Sequence, residues 1–268
     1  NGIPVYVLNF PGQEIIKIEA VYRAGRLQED KRLVARATSR LLREGTKTRT
    51  AAGIAEHIDF YGGTLSVPTN LDTSNILLFS LKKYASELIP VFAEVLQAPT
   101  FPESELETFK LTSVQELLVE LEKVEVRAYR KITELIFGEN HPYGYNSMPD
   151  DYAALERADL LHFYDTWYTP SNCLLFASGN IDDEVMHLLN RSFGQEKKTS
   201  EAVEKPYIKP VADLKPSQIK LKHPGSLQTA VKIGREAFNR RHPDFNGLYV
   251  LNTILGGYFG SRLMTNIR

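Results

Sequence analysis

Apolar and polar positions alternate along the first part of the chain and then change to a helical period. Ile3–Leu8 is rich in β-forming residues, and Glu14–Ala24 alternates apolar and polar side chains, so both are predicted to be strands. Asp30–Glu44 then places apolar side chains at helical spacing, and Gly45 provides a stop signal. The chain is therefore predicted to open with two strands followed by an amphipathic helix.

The same two periods recur as far as residue 191. The longest helical stretch begins near Pro102, which fits a first helical turn, and a loop rich in Gly, Pro and Asn closes it. Further predicted helices are Ala51–Tyr61, Ala85–Gln97, Pro102–Phe137, Ala158–Tyr168 and Asp182–Arg191, and further predicted strands are Thr64–Val67, Thr73–Lys82 and Cys173–Ser178.

A change of composition divides the chain. Residues 196–216 carry many charges and no apolar period, which is typical of a linker. Beyond them the order strand, strand, helix returns at Gln218–Lys222, Thr229–Gly234 and Phe245–Leu255, which indicates an internal duplication. We predict a first domain over 1–195, a linker over 196–216 and the start of a second, homologous domain over 217–268, and we expect the chain to be a fragment of something longer.

Composition excludes several classes of protein. The 32 Lys and Arg and the 33 Asp and Glu leave a net charge of −1, which argues against general nucleic-acid binding. No apolar run approaches the ~20 residues that a transmembrane helix needs. The one cysteine, Cys173, excludes an internal disulfide framework. We expect a soluble protein, and the sequence leaves the cytoplasm and the periplasm open as compartments.

Local motifs do not indicate an enzyme. The six histidines include no pair at the i,i+3 or i,i+4 spacing of a helical metal site. Ser80 and Lys83 match a Ser-x-x-Lys pattern, but on a predicted strand their side chains would point to opposite faces. The sequence contains no phosphate-binding loop.

Several stretches, taken in order, resemble the M16 metallopeptidases, a family that includes pitrilysin, insulin-degrading enzyme and the mitochondrial processing peptidases. They are the opening Asn-Gly strand, Arg23-Ala-Gly25 with Glu29, LLREGTKTRT, Tyr61-Gly-Gly63, FGENHPYG, Trp167-Tyr168, ASGNID and the segment from His242 to Arg268. The resemblance covers nearly the whole chain. It implies an α+β fold of duplicated M16-type domains, each a mixed sheet with helices packed on one face, with the second copy truncated.

The resemblance also identifies what the chain has lost. The family's zinc motif, His-x-x-Glu-His, aligns through Gly45-Thr46 with residues 36–40, so that Arg36 and Arg40 replace the two histidines and Ser39 replaces the catalytic glutamate. Arginine has no lone pair to give to zinc, and serine has no carboxylate to take a proton from water. No catalytic residue is therefore assigned to this chain.

The family's third zinc ligand corresponds to Glu116 on the long predicted helix. Arg36 and Arg40 together carry the charge of a zinc ion, and arginine pairs well with carboxylates. One hypothesis is therefore that one of the two arginines pairs with Glu116 in place of the metal. The alternative is that Arg36, Ser39, Arg40 and Arg43 form the solvated face of an amphipathic helix and that Glu116 is an ordinary exposed glutamate.

Arg268 corresponds to the arginine of an Arg/Tyr pair that, in the family, holds the substrate backbone and the developing oxyanion. The resemblance implies a substrate-binding role for it, although a surface arginine is the alternative. The leading function is a non-catalytic subunit that completes a peptide-binding chamber for a zinc-bearing M16 homologue, its heterodimer partner, with zinc only in that partner. A homodimer is the alternative assembly. The alternatives are a stand-alone peptide-binding or assembly protein and, if the motif is misaligned, an active zinc metalloendopeptidase.

Overall fold

The structure is a computed structural model that describes residues 2–68, 70–194 and 218–267. The chain divides into two compact units, Asn1–Ala230 and Val231–Arg268. The predicted linker over 196–216 lies outside the described residues, and the predicted domain boundaries stay a prediction.

The first unit is built on a five-stranded mixed sheet. Its strands are β1 (Val5–Asn9), β2 (Ile15–Tyr22), β3 (Thr64–Ser66), β4 (Ser74–Leu81) and β5 (Cys173–Gly179). Their order across the sheet is β1-β5-β2-β4-β3, in which β1 runs parallel to β5 and every other neighbouring pair is antiparallel. The expected mixed sheet is therefore present.

One face of the sheet forms the core. Ile16, Ile18 and Ala20 of β2 are fully buried, whereas the side chains between them are only partly covered. The inward residues of β4 and β5 continue the same buried layer, because side chains alternate between the faces of a strand. The buried face explains the alternating pattern in the sequence.

Helices cover that buried face, as the α+β class requires. The helices of the first unit are α1 (Val34–Leu41), α2 (Ala51–Phe60), α3 (Ala85–Gln97), α4 (Glu103–Leu121), α5 (Val124–Phe137), α6 (Pro149–Ala153), α7 (Arg157–Trp167) and α8 (Asp183–Phe193). In this layer α3 packs on α8, and α1 packs on α7 and α4. None of the helices in the described ranges is long and apolar enough to cross a membrane.

The second unit, taken by itself, contains helices. Among its described residues α9 (Phe245–Asn252) continues into a π-helical turn at Thr253–Gly257, and α10 (Arg262–Ile267) follows. The predicted helix Phe245–Leu255 is thus confirmed, together with its end near Gly256-Gly257.

Three expectations about elements are corrected. The stretch Pro102–Phe137 is two helices, because Lys123 adopts an extended backbone (ψ 122°) between α4 and α5. The first predicted helix begins at Val34 instead of Asp30, since Leu33 is left-handed (φ 70°). Gln218–Lys222 and Thr229–Gly234 are not strands: within the described ranges their backbone groups pair with no neighbouring strand, and a strand is defined by such pairing.

A close backbone approach explains one glycine of the ASGNID segment. Gly179 ends β5 with a φ of +107°, and a Cβ built there would lie 2.0 Å from the carbonyl oxygen of Ile15. Only glycine fits this position without moving the start of β2.

We expect Gly179→Ala to lower the free energy of unfolding by roughly 3 kcal/mol, since overpacking and backbone strain act together. The control is Gly12→Ala, in a loop where an added Cβ meets nothing within 4 Å. Urea unfolding of both variants measures the difference. Equal urea midpoints for the two variants would show that the end of β5 can move away from the start of β2 with little loss of stability.

Candidate functional site

The site centres on α1, which carries the positions of the degenerate zinc motif. Val34, Ala37 and Leu41 face the core, so the helix turns Arg36 and Arg40 outward. The carboxylate of Glu29 accepts a hydrogen bond from the N–H of Ala35 at 3.2 Å and thereby anchors the first turn. The orientation of α1 thus follows from its apolar stripe and from one carboxylate near its N-terminus.

The two arginines at the zinc-ligand positions are exposed. Nη1 of Arg36 donates a hydrogen bond to the hydroxyl of Tyr152 at 3.2 Å. Within the described residues Arg40 makes no hydrogen bond or ion pair, and no carboxylate lies within 4.0 Å of either guanidinium. These side chains present two positive charges on one face of the helix.

Ser39, at the position of the family's general base, is bonded into the fold. Its Oγ lies 2.7 Å from Oγ of Ser74 on β4, and the hydroxyl of Tyr168 donates to the same Ser74 oxygen at 2.8 Å. Burial raises the pKa of Tyr168 above its ordinary value, so this phenol stays neutral. The three hydroxyls join α1 to the sheet and to the end of α7, and they offer no base at neutral pH.

The hypothesised ion pair with Glu116 does not form. Glu116 is exposed on α4 and lies more than 4.0 Å from both Arg36 and Arg40. The reason is geometric: Arg36 reaches Tyr152, whose ring packs near Phe109, and Glu116 lies two turns further along α4, about 10 Å away. The charge-replacement hypothesis is therefore wrong, whereas the expected exposed face is present at Arg36 and Arg40.

Arg268, the proposed substrate-binding residue, lies outside the described residues. Glu116, the acidic residue among the predicted site positions, lies more than 4.0 Å from both arginines. The described structure brings Arg36, Ser39 and Arg40 onto one helix face. Among the described residues it places no group of metal-ligating side chains beside them.

The chemistry of this donor set does not fit zinc. Guanidinium groups have no lone pair to give, and in the parts of the chain that are described no three His, Cys, Asp or Glu side chains come together as a possible metal site. Two fixed positive charges at the ligand positions would also repel a divalent cation.

We therefore expect far less than one zinc ion per chain when the full chain is purified without a histidine tag and analysed by mass spectrometry for metals. The matched variant is Glu116→Gln, which removes the one ligand-like residue of the set and should leave the metal content unchanged. One tightly held zinc per chain that Glu116→Gln releases would show that the motif alignment is wrong.

One buried cluster of polar side chains beside α1 was not predicted from the sequence. The hydroxyl of Tyr145 donates to Glu29 at 2.5 Å, and the guanidinium of Arg26 lies 3.5 Å from the centre of the Tyr145 ring. Burial raises the pKa of Glu29 to about 7, against the opposing effects of Tyr145, the positive charge of Arg26 and the N–H of Ala35. In the sequence Glu29 was noted only as following the Arg23-Ala-Gly25 stretch, which did not reveal its burial.

Comparisons with known proteins match the sequence to peptidase M16 descriptions and relatives. The family description "Insulinase (Peptidase family M16)" matches residues 11–140, and "Peptidase M16 inactive domain" matches residues 154–268. The chain is similar to "Uncharacterized zinc protease YmxG" of Bacillus subtilis, with 23% identity over all of this chain and 65% of that protein. It is also similar to "Non-peptidase homolog YmxG" of Helicobacter pylori, with 26% identity over 94% of this chain and 58% of that protein.

A solved structure supports the fold. The "peptidase M16 inactive domain from Pseudomonas fluorescens" superposes with a TM-score of 0.78 at 22% identity, over all of this chain and 65% of that one. The chain thus spans about two thirds or less of the length of these relatives. Two M16 descriptions that together span most of the sequence, and the shared fold, show that this chain belongs to peptidase family M16.

Proposed function

We propose that this chain is part of a non-catalytic M16 subunit that completes a peptide-binding chamber for a zinc-bearing homologue. One observation carries the proposal: at the positions of the zinc motif, Arg36 and Arg40 cannot bind metal and Ser39 is hydrogen-bonded to Ser74. A chain with this substitution pattern keeps the M16 fold and lacks the groups that would activate water. The Helicobacter pylori relative, named a non-peptidase homologue, supports the same conclusion.

The division of labour follows from the chemistry of peptide hydrolysis. Zinc with its general base must face groups that stabilise the oxyanion, and the two sets need not lie on one chain. Under this proposal the partner supplies the metal and the glutamate that acts as its general base. This subunit supplies Arg268 and one wall of the peptide-binding chamber. Zinc belongs to the partner alone.

Affinity purification of the full-length protein from its own cells tests the proposal. We expect a second M16 chain with an intact His-x-x-Glu-His motif to purify with it in equal amount, and tagging that second chain should recover this one. Recovery of the protein alone, or as a homodimer without zinc, would favour the stand-alone peptide-binding or assembly protein.

A further inference from the structure

The outer face of α1 carries positive charge that the described part of the fold does not neutralise. Arg36 and Arg40 are exposed, and α1 contains no acidic residue from Val34 to Leu41. Among the residues that the structure describes, the one polar contact of Arg36 is the uncharged hydroxyl of Tyr152. Most donor groups of both guanidinium groups therefore point to solvent, next to a charge of the same sign.

Neighbouring residues orient this pair of charges. Tyr152 is 1% exposed, and its ring lies 6.2 Å from that of Phe109, so the hydroxyl that receives Arg36 is held in place. Arg32, just before the helix, adds no free charge to this surface, because it pairs with Asp151 at 3.9 Å and lies over the ring of Tyr145. The arginine pair thus lies on a fixed support and has spare hydrogen-bonding capacity.

The spacing and chemistry of the pair define a ligand. Residues four apart on a helix rise by about 6 Å, and alternate side chains of an extended strand, which point to one side, are about 6.6 Å apart. Guanidinium groups bind carboxylates through two parallel hydrogen bonds. We propose that the outer face of α1 binds a short acidic peptide segment in an extended conformation, with carboxylates at alternate positions paired to Arg36 and Arg40.

The surrounding charge favours a short peptide over a long polyanion. Helix α4 packs beside α1 and exposes carboxylates, among them Glu116, for which no ion-pair partner lies within 4.0 Å in the described ranges. The net charge of the whole chain is −1. A nucleic acid needs many phosphates neutralised together, whereas this surface provides two arginines, which suits a segment with two carboxylates.

This inference goes beyond the proposed function, because the isolated protein would bind such a segment whether or not a zinc-bearing partner exists. If the peptide does not bind, the proposed zinc-bearing partner can still purify with the protein. If no partner purifies with it, the protein alone can still bind the peptide.

Fluorescence anisotropy with the full-length protein tests the proposal. The probe is a labelled peptide of about eight residues that alternates Glu and Thr, and the reference peptide replaces each Glu by Gln. We expect the acidic peptide to bind more tightly than its reference, and increasing salt to weaken it. The double variant Arg36→Gln/Arg40→Gln should weaken binding about tenfold, and Arg36→Lys/Arg40→Lys should give an intermediate loss because charge remains without the planar fork.

The matched control is Arg191→Gln/Arg235→Gln, which removes the same charge from exposed residues that are not part of α1 and should bind as the wild type does. Thermal unfolding of each variant checks that the fold is intact. Equal affinities of the α1 double variant and the control, or no preference for the acidic peptide over its Gln reference, would overturn the proposal. Tighter binding of a thymidine oligonucleotide that also depends on Arg36 and Arg40 would overturn it in favour of a nucleic acid.

Discussion

Under the proposed function, a mixture of the full-length protein with a zinc-bearing M16 homologue that purifies with it is expected to hydrolyse peptides that neither protein cleaves alone. The reason is that hydrolysis needs a metal-activated water and an oxyanion site in one chamber. This chain has Arg36, Ser39 and Arg40 where the first set would be, and its resemblance to the family assigns Arg268 to the second. Cleavage of a quenched fluorescent peptide, measured over a range of mixing ratios, should be maximal at one to one.

The variant Arg268→Ala, made in the full-length protein, should lower turnover by the mixture by ~10²–10³-fold, which is the usual effect of removing one preorganised oxyanion donor. Formation of the complex, measured by size-exclusion chromatography, should be unchanged. Arg262→Ala serves as a control, since Arg262 is an exposed arginine of α10 close by in sequence. It should leave turnover at the wild-type level.

Two results would contradict this account in different ways. Equal turnover with Arg268→Ala and Arg262→Ala would show that Arg268 is only a surface residue, while activity on mixing would still support a two-chain peptidase. Activity of this protein alone, abolished by a metal chelator, would instead show that the zinc site had been misaligned.

The elements predicted best are those that bury one face along their whole length, because the full periodic pattern is then visible in the sequence of that element. Helix α3 has the predicted bounds, because its apolar residues form an unbroken stripe against the core. Strand β4 is only one residue shorter at each end than predicted. The agreement is close because its alternating side chains match one buried face of the sheet. Local sequence is sufficient where an element packs along its whole length.

The errors occur where a single backbone angle or a distant partner decides. Neither Pro nor Gly marks the break between α4 and α5, and Leu33 gives no sign of its left-handed backbone. The segment Thr229–Gly234 has strand composition, but pairing depends on residues elsewhere in the chain. Such features belong to tertiary structure.

The site shows the same division. Alignment through Gly45 placed Arg36 and Arg40 on one helix face, which needed only the helical period. The predicted pairing with Glu116 depended on the distance between α1 and α4, which the sequence does not give. In the structure Arg36 donates to the hydroxyl of Tyr152 instead. The bond from Ser39 to Ser74 was likewise invisible, because it joins α1 to a strand 35 residues away.

The carboxyl group of Glu29 should make the stability of the protein depend on pH. Its pKa is about 7 in the folded protein and about 4.5 as an ordinary glutamate, because burial disfavours the charged form. Between these two values the folded state binds more protons than the unfolded state. The contribution of Glu29 to stability is therefore complete below about pH 4.5 and falls as the pH rises through 7.

The variant Glu29→Gln isolates this effect, because the glutamine carbonyl can still accept from the N–H of Ala35 and its NH2 can donate to the hydroxyl oxygen of Tyr145, but the side chain cannot ionise. We expect the variant to match the wild type near pH 4.5 and to be more stable by up to ~3 kcal/mol at pH 8, because the difference between a pKa of 4.5 and one of about 7 corresponds to that free energy at ~1.4 kcal/mol per pKa unit. Urea unfolding at a series of pH values measures the difference.

The control is Glu103→Gln, at an exposed glutamate in the first turn of α4, whose profile should parallel that of the wild type. Parallel profiles for Glu29→Gln and the wild type would show that Glu29 ionises in the folded protein as readily as an exposed glutamate, and that Arg26 and the donors around it fully compensate for its burial.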